Sequence, residues 1–115
     1  MPTFTIGLEK LPWSNISSTA YRATGKLSLE TVSGFIQDMR PEPSQNLILD
    51  SSGVSFLDFA GVGALVSLFV NRRGQGKTLA PTSLTPQATA VVIVAGLQKL
   101  LPIYKTVEEA AANRS

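Results

Sequence analysis

Residues 47–65 read LILDSSGVSFLDFAGVGAL and decide the fold class of this chain. The apolar run Leu47–Leu49 is flanked by turn-forming residues, which is typical of a short strand buried on both faces. A polar turn containing Asp50 is predicted next, and Asp58 then precedes an apolar segment, Gly61–Arg73, that predicts a helix. A buried strand that leads through a loop into a helix is the repeating unit of a parallel α/β sheet.

The residues before this stretch predict a hairpin and a first helix. Phe4–Leu8 and Ala20–Thr24 alternate apolar with polar or small residues, so they predict two antiparallel strands joined by a turn at Pro12–Asn15. A helix follows, with Ser28 as its N-cap and Pro41–Pro43 as its end. Its apolar face is predicted to consist of Leu29, Val32, Phe35, Ile36 and Met39.

The residues after this stretch continue the alternation of strand and helix. Thr78–Ala80 predicts a short strand, and Thr85 followed by proline predicts the N-cap of a third helix that ends before Gly96. Leu101–Tyr104 predicts a last strand, and the capping box that begins at Thr106 predicts a short terminal helix. We therefore predict an α/β sandwich: a mixed, mostly parallel sheet of four or five strands that opens with a β-hairpin and is flanked by about four helices.

Length and composition limit the classes of function. A chain of 115 residues is expected to form one domain, residues 1–115. It contains no histidine, which removes the commonest general base and metal ligand, and no cysteine, which removes thiolate nucleophiles and cysteine-type metal sites. We therefore expect no enzyme, no metal and no cofactor.

Charge and hydropathy limit the partners. The net charge is +2, and basic residues form no stripe with interleaved aromatic residues, so no nucleic acid is expected. The longest apolar runs, Phe59–Val70 and Ala88–Leu97, are shorter than the roughly 18–20 residues that span a bilayer. Met1–Lys10 has no signal-peptide pattern. We expect a cytoplasmic protein that does not insert directly into a membrane.

Two motifs that can carry chemistry are interpreted as structural. Gly76–Thr78 looks like the end of a phosphate-binding loop, but it leaves a helix and enters a strand, the reverse of the order that such a loop needs. Asp50 and Asp58 are the one pair of carboxylates that could do acid–base work or bind Mg²⁺. With no histidine and no basic residue expected nearby, a loop-end hydrogen bond for Asp50 and a helix cap at Asp58 are favoured.

The deciding stretch resembles the signature of STAS domains, the family of bacterial anti-sigma factor antagonists and sulfate-transporter tails. That signature is an apolar strand, Asp-x-Ser-Gly-Val-x-Phe-hydrophobic-Asp, and then a Gly-hydrophobic-Gly helix start, which residues 50–63 follow closely. The resemblance extends to Gly25–Ser28, where the family often has Gly-Glu-Leu-Asp, and to Gly96–Leu97 and Val107–Ala110. It implies a sheet led by a hairpin and no catalytic activity.

The chain departs from the family at the regulated position. Antagonists of this family are phosphorylated on the Ser or Thr directly after the signature aspartate, and here that residue is Phe59, which has no hydroxyl group. The resemblance therefore implies that the usual phosphorylation switch is absent. Lys26 and Ser28 replace the family's Glu and Asp and remove two negative charges from the neighbouring loop. A substitute phosphorylation site at Ser51, Ser52 or Ser55 is an open alternative.

The resemblance implies a protein-binding role centred on the signature aspartate. The predicted partner-binding residues are Ser28, Ser55, Asp58, Phe59, Ala60, Gly61, Val62 and Leu65. The expected partner is a kinase-type anti-sigma factor or another STAS protein. The alternative is an accessory role in a membrane transport system, such as a lipid-trafficking ABC transporter.

The second and third helices are more apolar than surface helices usually are. Ala88–Leu97 has almost no polar face, and residues 65–70 leave little polar surface on the second helix. Such helices predict an exposed apolar patch and, with it, a protein interface or a homodimer. Trp13 and Phe59 are candidate aromatic anchors for that interface.

Overall fold

The computed structural model describes residues 6–14 and 17–112, and within these ranges a four-stranded sheet carries four helices. The strands lie in the order β1-β2-β3-β4. In chain order the elements are β1 (Gly7–Ser14), β2 (Ser18–Leu27), α1 (Val32–Met39), β3 (Asn46–Leu57), α2 (Phe59–Gly74), β4 (Thr78–Thr82), α3 (Pro86–Val94) and α4 (Val107–Ala112). β1 pairs antiparallel with β2, whereas the β2–β3 and β3–β4 pairs are parallel. The predicted fold class is confirmed.

The central strand is much longer than the sequence pattern predicts. We predicted a polar turn at Asp50, but β3 passes through Asp50 and continues to Leu57, so that prediction is wrong. The register with β2 shifts twice, between Arg22 and Thr24 and between Gly25 and Lys26, and each shift accommodates one extra residue of β3. Gly53 permits this close pairing, because a Cβ there would lie 2.7 Å from the Ala23 carbonyl oxygen.

The ends of several elements also differ from their predictions. β1 continues to Ser14, with an irregular register after Lys10, where a turn at Pro12 was expected; Phe4, Thr5 and Asn15 lie outside the described residues. The predicted last strand is reduced to one bridge between Tyr104 and Thr82.

The first helix begins later than predicted. Thr31, not Ser28, occupies its N-cap position, and the Thr31 Oγ1 accepts a 3.0 Å hydrogen bond from the Ser28 N–H. Leu29 therefore lies in a turn and is 72% exposed instead of facing the core. The rest of the predicted apolar face packs inward, with Phe35 and Met39 fully buried.

Two cores lie on opposite faces of the sheet. The larger one contains buried side chains of α1, α2 and α3 together with Leu47 and Leu49 of β3. The smaller one is covered by α4, whose Ala110 packs with Ile48 of β3. Both faces of β3 are thus buried, as its apolar run predicted. In the described part of the chain no helix is long and apolar enough to cross a bilayer.

Candidate functional site

Asp58 links the end of β3 to the start of α2. Its backbone is extended, and its Oδ1 accepts a 2.8 Å hydrogen bond from the Gly61 N–H, one of the free donors of the first helical turn. The predicted cap is confirmed. The position lies at the carboxyl end of the central strand, where open α/β sheets commonly bind ligands or partners.

The second oxygen of Asp58 holds a neighbouring loop. Its Oδ2 accepts a 3.1 Å hydrogen bond from the Leu29 N–H in the turn between β2 and α1. The Asp58 N–H also donates to the Leu27 carbonyl oxygen at 3.4 Å. α2 approaches this loop so closely that a Cβ at Gly61 would overlap the Leu27 carbonyl oxygen. One carboxylate therefore fixes two chain segments against each other.

Three large apolar side chains that are close to this linkage along the chain are exposed to solvent. Leu29 is 72% exposed, Phe59 is 62% exposed and Phe56 is 41% exposed. Phe59 directly follows Asp58, and Leu29 is bound to its carboxylate. We call Leu29, Phe56 and Phe59 the apolar edge.

The structure divides the predicted partner-binding residues into two groups. Ser55 and Phe59 are exposed, and Asp58 and Ala60 are partly exposed. The side chains of the other four are buried, so they support the surface from beneath in this conformation: Ser28, Gly61, Val62 and Leu65. Direct partner contact by these eight residues stays a prediction.

The sequence pattern does not predict the exposure of two members of the apolar edge, Leu29 and Phe56. Leu29 fits the helical spacing of α1 and was therefore assigned to the core. Phe56 follows the predicted polar turn in the sequence, whereas the structure places it in β3, paired with Lys26 of β2. Strand alternation would place Phe56 on the buried face with Val54, but the register with β2 shifts between Gly25 and Lys26, and Ser55 and Phe56 are both exposed.

A glutamine from α3 completes the end of β3. The Gln87 side-chain amide donates a 2.8 Å hydrogen bond from its Nε2 to the Leu57 carbonyl oxygen. Its Oε1 accepts a 2.9 Å hydrogen bond from the Leu57 N–H. This pair replaces the next strand of the sheet and fixes α3 beside the residue that precedes Asp58.

The alternative site at Asp50 and Asp58 does not assemble. Both residues belong to one extended segment, and the seven residues of β3 between them separate them by roughly 20 Å or more. The expectation that Asp50 lacks a basic partner is also wrong, since Arg22 Nε lies 3.2 Å from its Oδ2. No group of three or more metal-ligating side chains occurs within residues 6–14 and 17–112.

Asp50 instead forms an ion pair at the rim of a cleft of about 390 Å³ on the α4 face of the sheet. Its Oδ1 accepts a 2.9 Å hydrogen bond from the Ser52 N–H. Burial raises the pKa of the Asp50 carboxyl, but the hydrogen bonds from Ser52 and the charge of Arg22 outweigh burial and hold the pKa below its ordinary value. Asp50 is ionised at neutral pH and satisfied by its neighbours, as expected of a structural carboxylate.

Comparison with known proteins agrees with this architecture. An anti-sigma factor antagonist from Mycobacterium paratuberculosis superposes with a TM-score of 0.77 at 19% identity, over 92% of each chain. The STAS domain of a SulP transporter from Vibrio cholerae gives 0.69 at 22% identity, over 87% of this chain and 84% of that one. The murine anion transporter Slc26a9 gives 0.74 at 19% identity, over 87% of this chain but 18% of the transporter. These likenesses show a shared fold.

The family follows from the sequence match. The family model described as "Mlab, STAS domain" matches residues 16–102, from the start of β2 through the turn after α3. The match includes Asp58, the loop that it holds and both helices that flank the apolar edge. STAS domains are generally non-catalytic regulatory modules. The chain therefore belongs to the STAS domain family.

Proposed function

We propose that this chain is a non-catalytic protein-interaction module that binds its partner through the apolar edge. The proposal rests on the double hydrogen bond of Asp58, whose carboxylate holds the Leu29 backbone against the first turn of α2, the helix that begins at Phe59. The Leu29 and Phe59 side chains are 72% and 62% exposed, although the turn and the helix that carry them are joined through Asp58. A preorganised apolar surface loses little conformational entropy when it binds.

The chemistry of this surface favours a protein over a small molecule. Two of its three side chains are aromatic, and aromatic residues are enriched at the energetic centres of protein interfaces. Full burial of one such side chain contributes about 1.5–3 kcal/mol. Exposed Lys26 and Glu30 lie beside it in the sequence and form a charged border.

We propose further that the module is not switched by phosphorylation after its signature aspartate. Phe59 occupies that position and offers no hydroxyl group. Incubation with a kinase-type anti-sigma factor from the same genome and ATP, followed by intact-mass measurement, should leave the mass unchanged. Stoichiometric phosphorylation of a serine, such as exposed Ser52 or Ser55, would contradict the expected mass and would assign the switch to a substitute site.

The first candidate partner is a kinase-type anti-sigma factor or a second STAS protein. In this proposal residues 1–115 form one domain, and the partner binds it in the cytoplasm. Support comes from the family match and from the fold shared with an anti-sigma factor antagonist.

The chain is also proposed to self-associate through its apolar helices. Light scattering at high concentration tests this, and a strict monomer argues against it.

A second candidate function is an accessory role in a membrane transport system. Support comes from the shared fold of the Vibrio cholerae SulP transporter domain and of murine Slc26a9. Genes beside the one for this chain distinguish the two candidates, since an anti-sigma kinase and a transporter operon point to different partners. Co-purification of the chain with the protein that each neighbouring gene encodes then tests the assignment directly.

The substitution Phe59→Asp tests the proposed surface. The affinity of this variant for the partner found by co-purification is measured by calorimetric titration. Burying an unpaired carboxylate should weaken binding by at least about 1 kcal/mol, which is roughly fivefold in Kd. Val70→Asp is the matched control, because Val70 is also an exposed apolar residue of α2, at 57%, but lies three turns further along. Unchanged affinity of Phe59→Asp would place the interface elsewhere.

A further inference from the structure

One face of α2 is open to solvent from its first turn to its last. The buried residues of this helix lie on the opposite side, where it packs on the sheet and against α1 and α3. The solvent-facing residues recur at intervals of three and four, which keeps side chains on one face of a helix. We call the following residues the α2 face: Phe59, Gly63, Val66, Ser67, Val70, Arg73 and Gly74.

Large apolar side chains and glycines alternate on the α2 face. Phe59 is 62% exposed and Val70 is 57% exposed. Gly63 and Gly74 are also exposed, and a Cβ at either position would meet no atom within 4 Å. Glycine destabilises the interior of a helix relative to alanine, so packing inside this chain does not account for Gly63. The face therefore has two projecting side chains and two positions that are open to a close approach.

These positions make the α2 face complementary to itself. Two identical helices that pair antiparallel across a two-fold axis bring residue i against residue j and residue j against residue i. In one such arrangement Gly63 lies opposite Val70 of a second copy. The same arrangement brings Phe59 opposite Gly74 of that copy, because the two pairs are centred on the same point of the helix. Each projecting side chain then meets a glycine, which allows the two helices to pack closely.

Charge favours the antiparallel orientation over the parallel one. Arg73 lies in the last turn of α2, and its guanidinium has no hydrogen bond or ion pair with any residue of the described ranges 6–14 and 17–112. Asp58 supplies a carboxylate at the first turn. In the antiparallel pair Arg73 lies opposite Ala60 of the second copy, about 3 Å along the helix axis from Asp58. A parallel pair would instead bring the two like charges of Arg73 together.

We propose that two copies of the chain pair antiparallel through their α2 faces and that this pairing competes with binding of the protein partner. The competition rests on the proposed function, because Phe59 belongs both to the α2 face and to the apolar edge. In the pair, Phe59 of each copy is covered by the other copy and cannot contact a protein partner. By mass action, the concentration of the chain then controls how many apolar edges are free. Dimerisation regulates the module at the position where Phe59 offers no hydroxyl group to a kinase.

Disulfide cross-linking tests the register of the pair. The chain has no cysteine, so every introduced cysteine is unique. A mixture of Gly63→Cys and Val70→Cys chains should form a cross-linked dimer on oxidation with copper phenanthroline. Each variant alone should not, because the two copies of either residue lie about 10 Å apart along the helix axis. Ser67→Cys should cross-link to itself next to the two-fold axis, and Lys10→Cys on exposed β1 is the control for random collisions.

The substitution Val70→Asp tests the competition. Sedimentation velocity should show the unchanged chain as a dimer at high concentration and the Val70→Asp variant as a monomer. In calorimetric titration at that concentration, Val70→Asp should bind the protein partner at least about fivefold more tightly than the unchanged chain, because Val70 is not part of the apolar edge. The proposal is overturned if Val70→Asp binds no more tightly, or if mixing the two cysteine variants gives no more cross-linked dimer than either alone.

Two outcomes separate this proposal from the proposed function. An unchanged chain that is a monomer at high concentration overturns the pairing and leaves the apolar edge as the partner surface. Because Phe59→Asp also removes the dimer, its affinity for the protein partner is compared with that of Val70→Asp. Weaker binding by Phe59→Asp supports the proposed function, whereas equal binding overturns the proposed function and, with it, the competition.

Discussion

The Nε of Arg72 donates a 2.7 Å hydrogen bond to the carbonyl oxygen of Thr78, which joins the last turns of α2 to the first residue of β4. The other guanidinium nitrogens donate to the carbonyl oxygens of Glu42 at 3.0 Å and Ser44 at 2.6 Å. Arg72 is only 1% exposed. Its charge is therefore solvated by the chain, and one side chain holds the loop before β3, α2 and β4 together.

We predict that Arg72→Met lowers the free energy of unfolding by about 3 kcal/mol, because several buried carbonyl oxygens lose their donors at once. Urea denaturation measures the change. Arg73→Met is the control, since its neighbour Arg73 is exposed and should change stability by less than about 0.5 kcal/mol. Equal effects of the two substitutions would mean that the buried network contributes no more than general helix charge.

The two hydrogen bonds of Asp58 can be separated by substitution. Asp58→Ala removes both and should lower the free energy of unfolding by about 1–2 kcal/mol. Asp58→Asn keeps one carbonyl oxygen for the Gly61 N–H but cannot also accept from Leu29, so its loss should be about half as large. In both variants the Leu29 amide should exchange with deuterium faster. Unchanged exchange at Leu29 would show that the loop is held by other contacts.

The parts of the fold that the sequence predicted correctly depend on local signals. Asp58 caps α2, and the Thr85 Oγ1 accepts from the Ala88 N–H at 3.2 Å, because a cap and its donors lie within three residues. Gly96 ends α3 with a positive φ of 73°, a conformation in which glycine is favoured. Such contacts are visible in the sequence because their partners are neighbours along the chain.

The parts that were missed depend on partners far along the chain. Asp50–Gly53 has the composition of a turn, but β3 pairs through Asp50 with both β2 and β4, which keeps the segment extended. Leu29 has helical spacing, but its N–H bonds to a carboxylate 29 residues away. Gln87 pairs with Leu57 across 30 residues, and nothing in its local sequence indicates this. The apolar edge arises from such long-range contacts.

Two glycines of α2 should respond oppositely to alanine. Gly61→Ala places a methyl group into the Leu27 carbonyl oxygen and should lower the free energy of unfolding by about 2–3 kcal/mol. Gly63→Ala meets no atom within 4 Å and should raise it by about 0.5–1 kcal/mol, since alanine favours the helix. Urea denaturation of both variants is the measurement. Destabilisation by Gly63→Ala would show that helix propensity at this position does not determine the stability that α2 contributes.

The ion pair of Asp50 predicts how stability depends on pH. Its pKa in the folded protein is lowered from the ordinary value of 3.8, so at acid pH the unfolded chain binds the proton first. The stabilisation is therefore fully present above about pH 5 and is lost as the pH falls through the folded pKa. Arg22→Gln should weaken the stabilisation near neutral pH and flatten the acid dependence of the urea midpoint, because the guanidinium contributes to the shift. Lys26→Gln, which changes an exposed cation of the same strand, should leave that dependence unaltered. A loss of acid dependence with Lys26→Gln would assign the effect to net charge, not to the pair at 3.2 Å.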